Sequence, residues 1–256
     1  AAASDSEATR QQCSERRLDV ICAALPWTAG LSERDAGVPE LLTELDLAPV
    51  EALPEVIAAI MTEFQRRGVE GLNALELLPK CLHLVQAADT VAPEVGSPIA
   101  AGAYVDHILE QVLGMGWPAG GVARVVKILR DIAMAPRLRM EVANKALRHC
   151  REEKAQELPA LTYQLLLLPS KGGKGTVLKG LVEEVSRREE KLRGRADADF
   201  KMMLEVEGTL LLHINAACKQ DSALFLELAK LLKTEPLPPS AFFVAVVLAA
   251  ARIPSL

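Results

Sequence analysis

The lysine- and glycine-rich segment "SKGGKGT" at 170–176 comes nearest, by its residue types, to a phosphate-binding loop. In nucleotide-using enzymes the loop G-x-x-x-x-G-K-[ST] wraps phosphates with backbone N–H groups, and its hydroxyl contacts magnesium. Here Leu168 stands where the first glycine belongs, and Gly175 replaces the hydroxyl residue after Lys174. Because two defining residues are missing, a flexible turn between two helices is the better interpretation.

The four histidines have no spacing that is typical of a metal site. They are His83, His107, His149 and His213, and none belongs to an H-x-x-x-H or H-E-x-x-H pattern. His213, in the apolar stretch "TLLLHI", is expected to be a core histidine with a backbone partner rather than a catalytic base. We therefore predict no metal site.

Two pairs of glutamates lie in the segment 183–191, "EEVSRREEK", together with three basic residues. Such mixed charges on one helix are typical of a solvated, ion-paired face. No G-x-S-x-G motif and no nucleophile with a nearby base accompany them. The sequence therefore favours a protein that is not an enzyme and has no cofactor or small-molecule substrate.

Two basic clusters could instead contact phosphates, because lysines beside exposed helix amides bind phosphate without reading bases. The first, which we call the lysine turn, consists of Lys171, Lys174 and Lys179. The second consists of Arg124, Lys127 and Arg130 on one helix, followed by Arg137 and Arg139. Ordinary solubility charge is the alternative, and we favour it for both clusters.

The composition favours close-packed helices over sheets. The chain has 256 residues, of which 50% are hydrophobic and only 4% aromatic, whereas sheets draw on β-branched and aromatic residues. A net charge of −5 gives no overall attraction for nucleic acid or anionic membranes. The five cysteines include no CxxC pair, which indicates a reducing compartment and mostly buried thiols. The apolar run 241–251 is too short for the roughly 20 residues that span a bilayer.

Helical periodicity recurs along the chain and predicts ten or eleven helices joined by short turns, in addition to a weakly patterned first helix at 10–25. The expected helices with predicted bounds are 10–25, 38–47, 54–67, 72–88 with a kink at Pro79, 118–133, 136–153, 200–219, 222–233 and 240–253. Three further helices are placed by single features: one is opened by Ser97-Pro98, one has Leu158, Leu161, Leu165 and Leu168 on one face, and one is capped by Thr176. The stretch 187–199 is expected to be a solvated, mobile loop. No strand-turn-strand pattern is apparent.

This series of helices predicts an all-α protein, an irregular α-solenoid with a HEAT-like stack of antiparallel helices. A compact helical bundle is the structural alternative. We expect cap-like helices in 1–53, a first α-solenoid segment in 54–219 and the start of an adjoining helical domain in 220–256. The chain does not begin with Met and stops soon after an apolar helix, so we expect a fragment of a longer protein.

Two long motifs carry a family resemblance. "ELPALTYQLLLLPSKGGKGTVLKGLV" at 157–182 and "EVEGTLLLHI" at 205–214 resemble the N-terminal solenoid of the Fanconi anemia group I family. "LELLPKCLHL" at 75–84, Trp117 and "VVLAAARI" at 246–253 resemble family segments in the same order. The resemblance covers about 54–253. Its motifs consist mostly of packing residues, so they indicate ancestry better than mechanism.

The resemblance implies a non-enzymatic, nuclear scaffold of DNA interstrand-crosslink repair. In that family the protein pairs with a paralogous solenoid subunit in the ID complex, clamps double-stranded or branched DNA, and is associated with DNA polymerase binding. Lys171 and Lys174 match basic positions of the family's turn, and with Lys179 they are the candidate DNA-binding residues. The family's ubiquitin-accepting lysine and phosphorylation sites lie further downstream. A generic HEAT-like adaptor without a DNA role is the alternative function.

Overall fold

A computed structural model of the protein describes residues 19–25, 38–91, 98–168, 173–192, 197–233 and 238–251. The described residues form two compact units. The first contains those up to Gly121 together with Asp131–Met134, and the second contains Val122–Arg130 and those from Ala135 onward. Nearly all regular secondary structure in these ranges is helical. The predicted all-α class is therefore confirmed.

Helices of the first unit follow the predicted boundaries closely where the apolar pattern is strong. The unit contains α1, described over 19–24, and then α2 (Val38–Asp46), α3 (Leu53–Arg67), α4 (Leu72–Leu75), α5 (Leu78–Gln86) and α6 (Ala101–Gly114). The face of α3 predicted to be apolar is buried: Val56, Ile57, Ile60, Met61 and Phe64. Gly68 ends α3 with φ of 60°, a left-handed conformation that glycine adopts without steric cost.

The predicted single helix over 72–88, kinked at Pro79, is wrong. The structure has two helices there, Leu72–Leu75 and Leu78–Gln86, and Pro79 lies in the first turn of the second. Proline is well tolerated at that position because the first-turn N–H groups have no helical partner to lose. Pro79 therefore starts a helix instead of bending one.

A short antiparallel strand pair was not predicted. Thr90–Val91, which we call β1, pairs with Ile99–Ala100, β2, so that Thr90 lies opposite Ala100 and Val91 opposite Ile99. Two residues per strand are too few to produce a readable alternation of apolar and polar residues. Strand β2 leads directly into α6, and Ser97, expected to open that helix, lies outside the described residues.

The second unit is built around an almost wholly apolar helix, α9. Its helices are α7 (Val122–Arg130), α8 (Pro136–His149), α9 (Leu158–Leu167), α10 (Lys174–Leu192), α11 (Asp197–Gln220), α12 (Ser222–Leu231) and α13 (Ser240–Ala250). Helix α9 packs against α7, α10 and α11. The predicted stripe Leu158, Leu161, Leu165 and Leu168 is fully buried. A helix that is apolar on most of its surface needs neighbours on several sides, and α9 has them.

Helix α10 extends further than predicted in both directions. It begins at Lys174, so Thr176 is a residue inside the helix and not its cap. It also continues to Leu192, and α11 begins at Asp197, so most of the loop predicted at 187–199 is helical. Pairs of glutamate and arginine three and four residues apart support a helix through this charged stretch. Residues 193–196 lie outside the described ranges.

Candidate functional site

The lysine turn is not a cluster of three exposed cations. Lys171 lies outside the described residues, and Lys179 is exposed on α10. Lys174, the first residue of α10, has a side chain only 7% exposed and forms an ion pair with Asp221. The side chain of Lys174 is therefore largely withdrawn from solvent, whereas DNA contact by the three lysines stays a prediction.

Asp221 explains why Lys174 is buried. The residue precedes α12, and its Oδ1 accepts a hydrogen bond from the Ala223 backbone N–H at 3.1 Å, which caps the helix. Its Oδ2 accepts from Lys174 Nζ. One carboxylate thus joins the starts of α10 and α12. Because lysine is seldom buried unless it is paired, this ion pair fixes a helix junction and neutralises the lysine's charge.

A second basic region lies between α8 and α10 and was not predicted as a site. It is a cavity of about 420 Å³, which we call the arginine groove, and it is lined by Leu147, Arg148, Arg151, Gly180, Glu183, Glu184 and Arg187. A Cβ atom at Gly180 would lie 3.0 Å from Leu147 Cδ1, so glycine allows the two helices to approach closely there. Arg148 and Arg151 are exposed.

Glu184 organises one side of the arginine groove. The prediction that 183–191 forms a solvated face is wrong for this residue, whose side chain is only 6% exposed. Glu184 accepts hydrogen bonds from Arg187 Nε and Arg188 Nε, both at 2.8 Å. Burial acts to raise the pKa of Glu184, but the hydrogen bonds from Arg187 and Arg188 outweigh it and hold the pKa below its ordinary value.

Arg188 links this pair to the end of α8. Its Nη2 donates to the Glu153 carbonyl at 2.9 Å and also to the Cys150 carbonyl. Carbonyl groups at a helix C-terminus carry partial negative charge, so a guanidinium is favourable there. The spacing of Glu184, Arg187 and Arg188 on one helix was enough to predict their ion pairs. The carbonyl partners of Arg188 were not predictable, because they lie more than 30 residues away in sequence.

The second predicted basic cluster is partly used in packing. Arg130 donates from Nη1 to Gln164 Oε1 on α9 at 2.8 Å, and Arg137 pairs with Glu141 at 2.6 Å. Lys127 is exposed on α7. Arg130 and Arg137 therefore contact groups of the protein itself.

The remaining titratable candidates have structural surroundings. Burial raises the pKa of Cys81 and of Cys150 to about 12, which disfavours the reactive thiolate. His213 donates from Nδ1 to the Thr209 carbonyl at 2.8 Å and packs edge-on against the Tyr163 ring. It has the predicted backbone partner but is only half-buried. Within the described ranges, no group of histidine, cysteine and carboxylate side chains could hold a metal ion, and no helix could cross a membrane.

Comparison with known proteins identifies the family. The family model described as "FANCI solenoid 1" matches residues 38–219. The chain is 30% identical over 207 residues to the Fanconi anemia group I protein of Gallus gallus, which covers 76% of this chain and 15% of the relative. It is also 30% identical over 170 residues to the Fanconi anemia group I protein homolog of Mus musculus, covering 63% of this chain and 13% of that relative.

The matched region is a small part of each relative. The chain aligns with about 15% of the length of the first of them. The family model begins at residue 38, before the boundary that we predicted at 54, and ends at 219. The division into 1–53, 54–219 and 220–256 stays a prediction. The fold is an all-α solenoid, as predicted, and the chain belongs to the Fanconi anemia group I family.

Proposed function

We propose that this chain is part of a non-enzymatic scaffold of DNA interstrand-crosslink repair. In this proposal it belongs to the group I subunit, which pairs with a paralogous solenoid subunit in the ID complex and clamps double-stranded or branched DNA in the nucleus. Binding of a DNA polymerase is a further part of the same proposal. The observation that carries it is the match to "FANCI solenoid 1" over residues 38–219.

The state of the reactive side chains supports a scaffold. Cys81 and Cys150 are buried with raised pKa values, and Glu184 is committed to two arginines. His213 is bound to a backbone carbonyl of its own helix. Groups that catalyse reactions need an accessible position and a pKa suited to proton transfer or attack. These four side chains are instead buried, ion-paired or bonded to the backbone.

Exposed cations support a role near DNA. Lys179 on α10 and the two arginines of the groove, Arg148 and Arg151, present positive charge to solvent. A scaffold that clamps DNA needs contacts to phosphates that do not depend on base sequence, and exposed lysine and arginine side chains supply them. With a net charge of −5, the chain has to achieve this locally. We therefore expect weak, salt-sensitive DNA binding by this chain alone.

A co-precipitation experiment tests the proposed function. The 256-residue chain and a full-length group I protein, as positive control, are each mixed with the purified paralogous subunit. In parallel, the chain is expressed in cells treated with a DNA crosslinker. We expect retention by the paralogous subunit and accumulation in the nucleus after damage. The opposite outcome is that the full-length control gives both signals while the chain gives neither retention nor nuclear accumulation. That outcome would point to an adaptor without a DNA role.

A further inference from the structure

We propose that the arginine groove between α8 and α10 is a contact site for the phosphodiester backbone of nucleic acid. This inference rests on the proposed DNA role and names the surface that carries it out. It also shifts the contact from the lysine turn, identified from sequence, to Arg148, Arg151 and Arg187. Arg148 and Arg151 share one role, and Arg187 has another.

Arg148 and Arg151 form the exposed rim of the groove on the α8 side. They lie three residues apart at the end of α8 and the turn after it, so they lie on the same side of the chain. Within the described residues, neither guanidinium has an ion-pair partner within 4 Å. Each can therefore offer its full fork of N–H donors to a phosphate without breaking an existing contact.

Arg187 forms the opposite rim and is held in position. Its Nε donates to Glu184 Oε2 at 2.8 Å and its Nη2 to Glu184 Oε1 at 2.5 Å. A guanidinium has five N–H donors, so this pair leaves the Nη1 donors and one Nη2 donor available. Its side chain is 35% exposed, which gives a ligand access. Glu184 thus orients a cation toward the groove and does not occupy it.

The local charge is positive although the chain is acidic overall. Three arginines line the groove, namely Arg148, Arg151 and Arg187, against the two glutamates Glu183 and Glu184. Glu184 is buried and shared by Arg187 and Arg188, so Glu183 is the exposed carboxylate of the lining.

The helix dipole of α8 does not oppose an anion as strongly as its direction suggests. The C-terminal end of a helix carries partial negative charge that repels phosphate. Here Arg188 donates to the carbonyl groups of Cys150 and Glu153. These two carbonyl groups, at and just after the end of α8, therefore already have a cationic donor that offsets their partial negative charge.

The shape of the groove favours a nucleic-acid backbone over a phosphorylated peptide. Its apolar lining consists of Leu147 and Gly180, which offer no pocket for side chains next to a phosphorylated residue. The outer arginines are exposed and not fixed by ion pairs, as suits positioning contacts to a repeating backbone. Recognition of one phosphorylated side chain depends on a more ordered arginine cluster.

Salt-dependent DNA binding tests this inference. Fluorescence anisotropy measures binding of a labelled duplex of about 30 base pairs by the 256-residue chain between about 50 and 200 mM salt. The groove variant is Arg148→Gln/Arg151→Gln. The control is Arg66→Gln/Arg67→Gln, which removes the same charge from the end of α3, where both arginines pair with Glu63. Circular dichroism confirms that all three proteins are folded.

We expect the groove variant to bind roughly five- to tenfold more weakly per lost contact near 0.1 M salt, and its log–log salt slope to fall by about two. The control should keep nearly the wild-type slope. Equal losses in both variants, or none in the groove variant while the wild type binds, overturn this inference and leave the proposed DNA role standing. No binding by the wild type counts against both.

A second probe separates the two kinds of phosphate ligand. A phosphoserine peptide and its unphosphorylated counterpart are titrated against the same three proteins. We expect neither peptide to bind the wild type measurably better than the groove variant. Phosphate-dependent peptide binding that is lost in the groove variant, together with unchanged DNA binding, would assign the groove to a phosphorylated protein and overturn the nucleic-acid assignment.

Discussion

The lysine turn and the arginine groove both bring basic side chains to helix α10, but they differ in which charged group is buried. At the turn, Lys174 is buried against Asp221, and Lys179 is the exposed one of the two lysines that the structure describes there. In the groove, Glu184 is the buried group, and it leaves Arg148 and Arg151 exposed. The availability of a cation therefore depends on where the nearest carboxylate lies, and the number of lysines or arginines in a segment does not determine it.

The same comparison separates stability from binding. The carboxylates Asp221 and Glu184 hold helix junctions, the first between α10 and α12 and the second between α10 and the end of α8. The exposed cations are free of that task. We therefore expect changes at the carboxylates to affect unfolding, and changes at the exposed cations to affect binding.

The largest expected effect follows from Glu184→Gln. This change leaves Arg187 and Arg188 without their charged partner at a nearly buried position, and removing one partner of a buried ion pair costs about 3 kcal/mol or more. The partial exposure of Arg187 favours the lower end of that range. Urea denaturation monitored by circular dichroism measures the free energy of unfolding.

The exposed neighbour provides the control for Glu184. Glu183→Gln changes the same charge one residue earlier on α10, at a solvent-exposed position, and should alter stability by less than about 0.5 kcal/mol. Similar losses for the two variants would mean that the segment is the solvated face first expected from its sequence.

The contribution of Glu184 should also depend on pH. Its pKa is lowered in the folded protein from an ordinary value of 4.5. A carboxylate with a lowered folded pKa stabilises the protein above its unfolded pKa, and that contribution is lost as the pH falls through the folded value. The difference in unfolding free energy between wild type and Glu184→Gln should thus be constant above about pH 5.5 and shrink below about pH 4.5. A difference that grows toward low pH would contradict the assignment.

At the lysine turn, Asp221→Ala should cost about 2 kcal/mol. The change removes a helix cap, worth about 1 kcal/mol, and leaves Lys174 buried without a partner. Asp221→Asn is the matched variant, because an amide oxygen can still cap α12 but cannot neutralise the lysine. Asp221→Asn should therefore lose about 1 kcal/mol less of the unfolding free energy than Asp221→Ala. Equal losses for both variants would assign the whole effect to the ion pair.

The smallest effects come from two glycines of α10, one in each region. A Cβ at Gly175 would lie 3.1 Å from the flexible end of Glu227, whereas one at Gly180 would lie 3.0 and 3.3 Å from two carbons of Leu147. Gly175→Ala should raise stability by up to about 1 kcal/mol through helix propensity. Gly180→Ala should lower it by about 1 kcal/mol, because the close approach of α8 is lost. Thermal unfolding distinguishes the signs.

Periodic burial was predictable from the sequence. The buried face of α3 and the leucine stripe of α9 follow helical spacing because each helix must cover an apolar side. The family resemblance, carried by packing motifs, was predictable for the same reason. The role of Pro79 was not predictable, because a proline in a helical pattern can either kink one helix or begin another.

Long-range pairing was not predictable. The Lys174–Asp221 ion pair joins residues 47 positions apart, and no local pattern indicates which acid a lysine meets. Arg148 and Arg151 belong to no dense basic motif, so their joint exposure at one groove emerges only when α8 packs beside α10. The sequence therefore shows which residues are charged, whereas their solvent exposure depends on how the helices pack.

The central claim is that the exposed arginines of the groove supply more of the phosphate contacts than Lys174 and Lys179 of the lysine turn. It is tested most directly by the salt dependence of duplex DNA binding in two double variants, Lys174→Gln/Lys179→Gln and Arg148→Gln/Arg151→Gln. We predict that the lysine variant lowers the log–log slope by no more than about one, through Lys179, and the arginine variant by about two. A larger loss in the lysine variant, with the arginine variant unchanged, would contradict the claim.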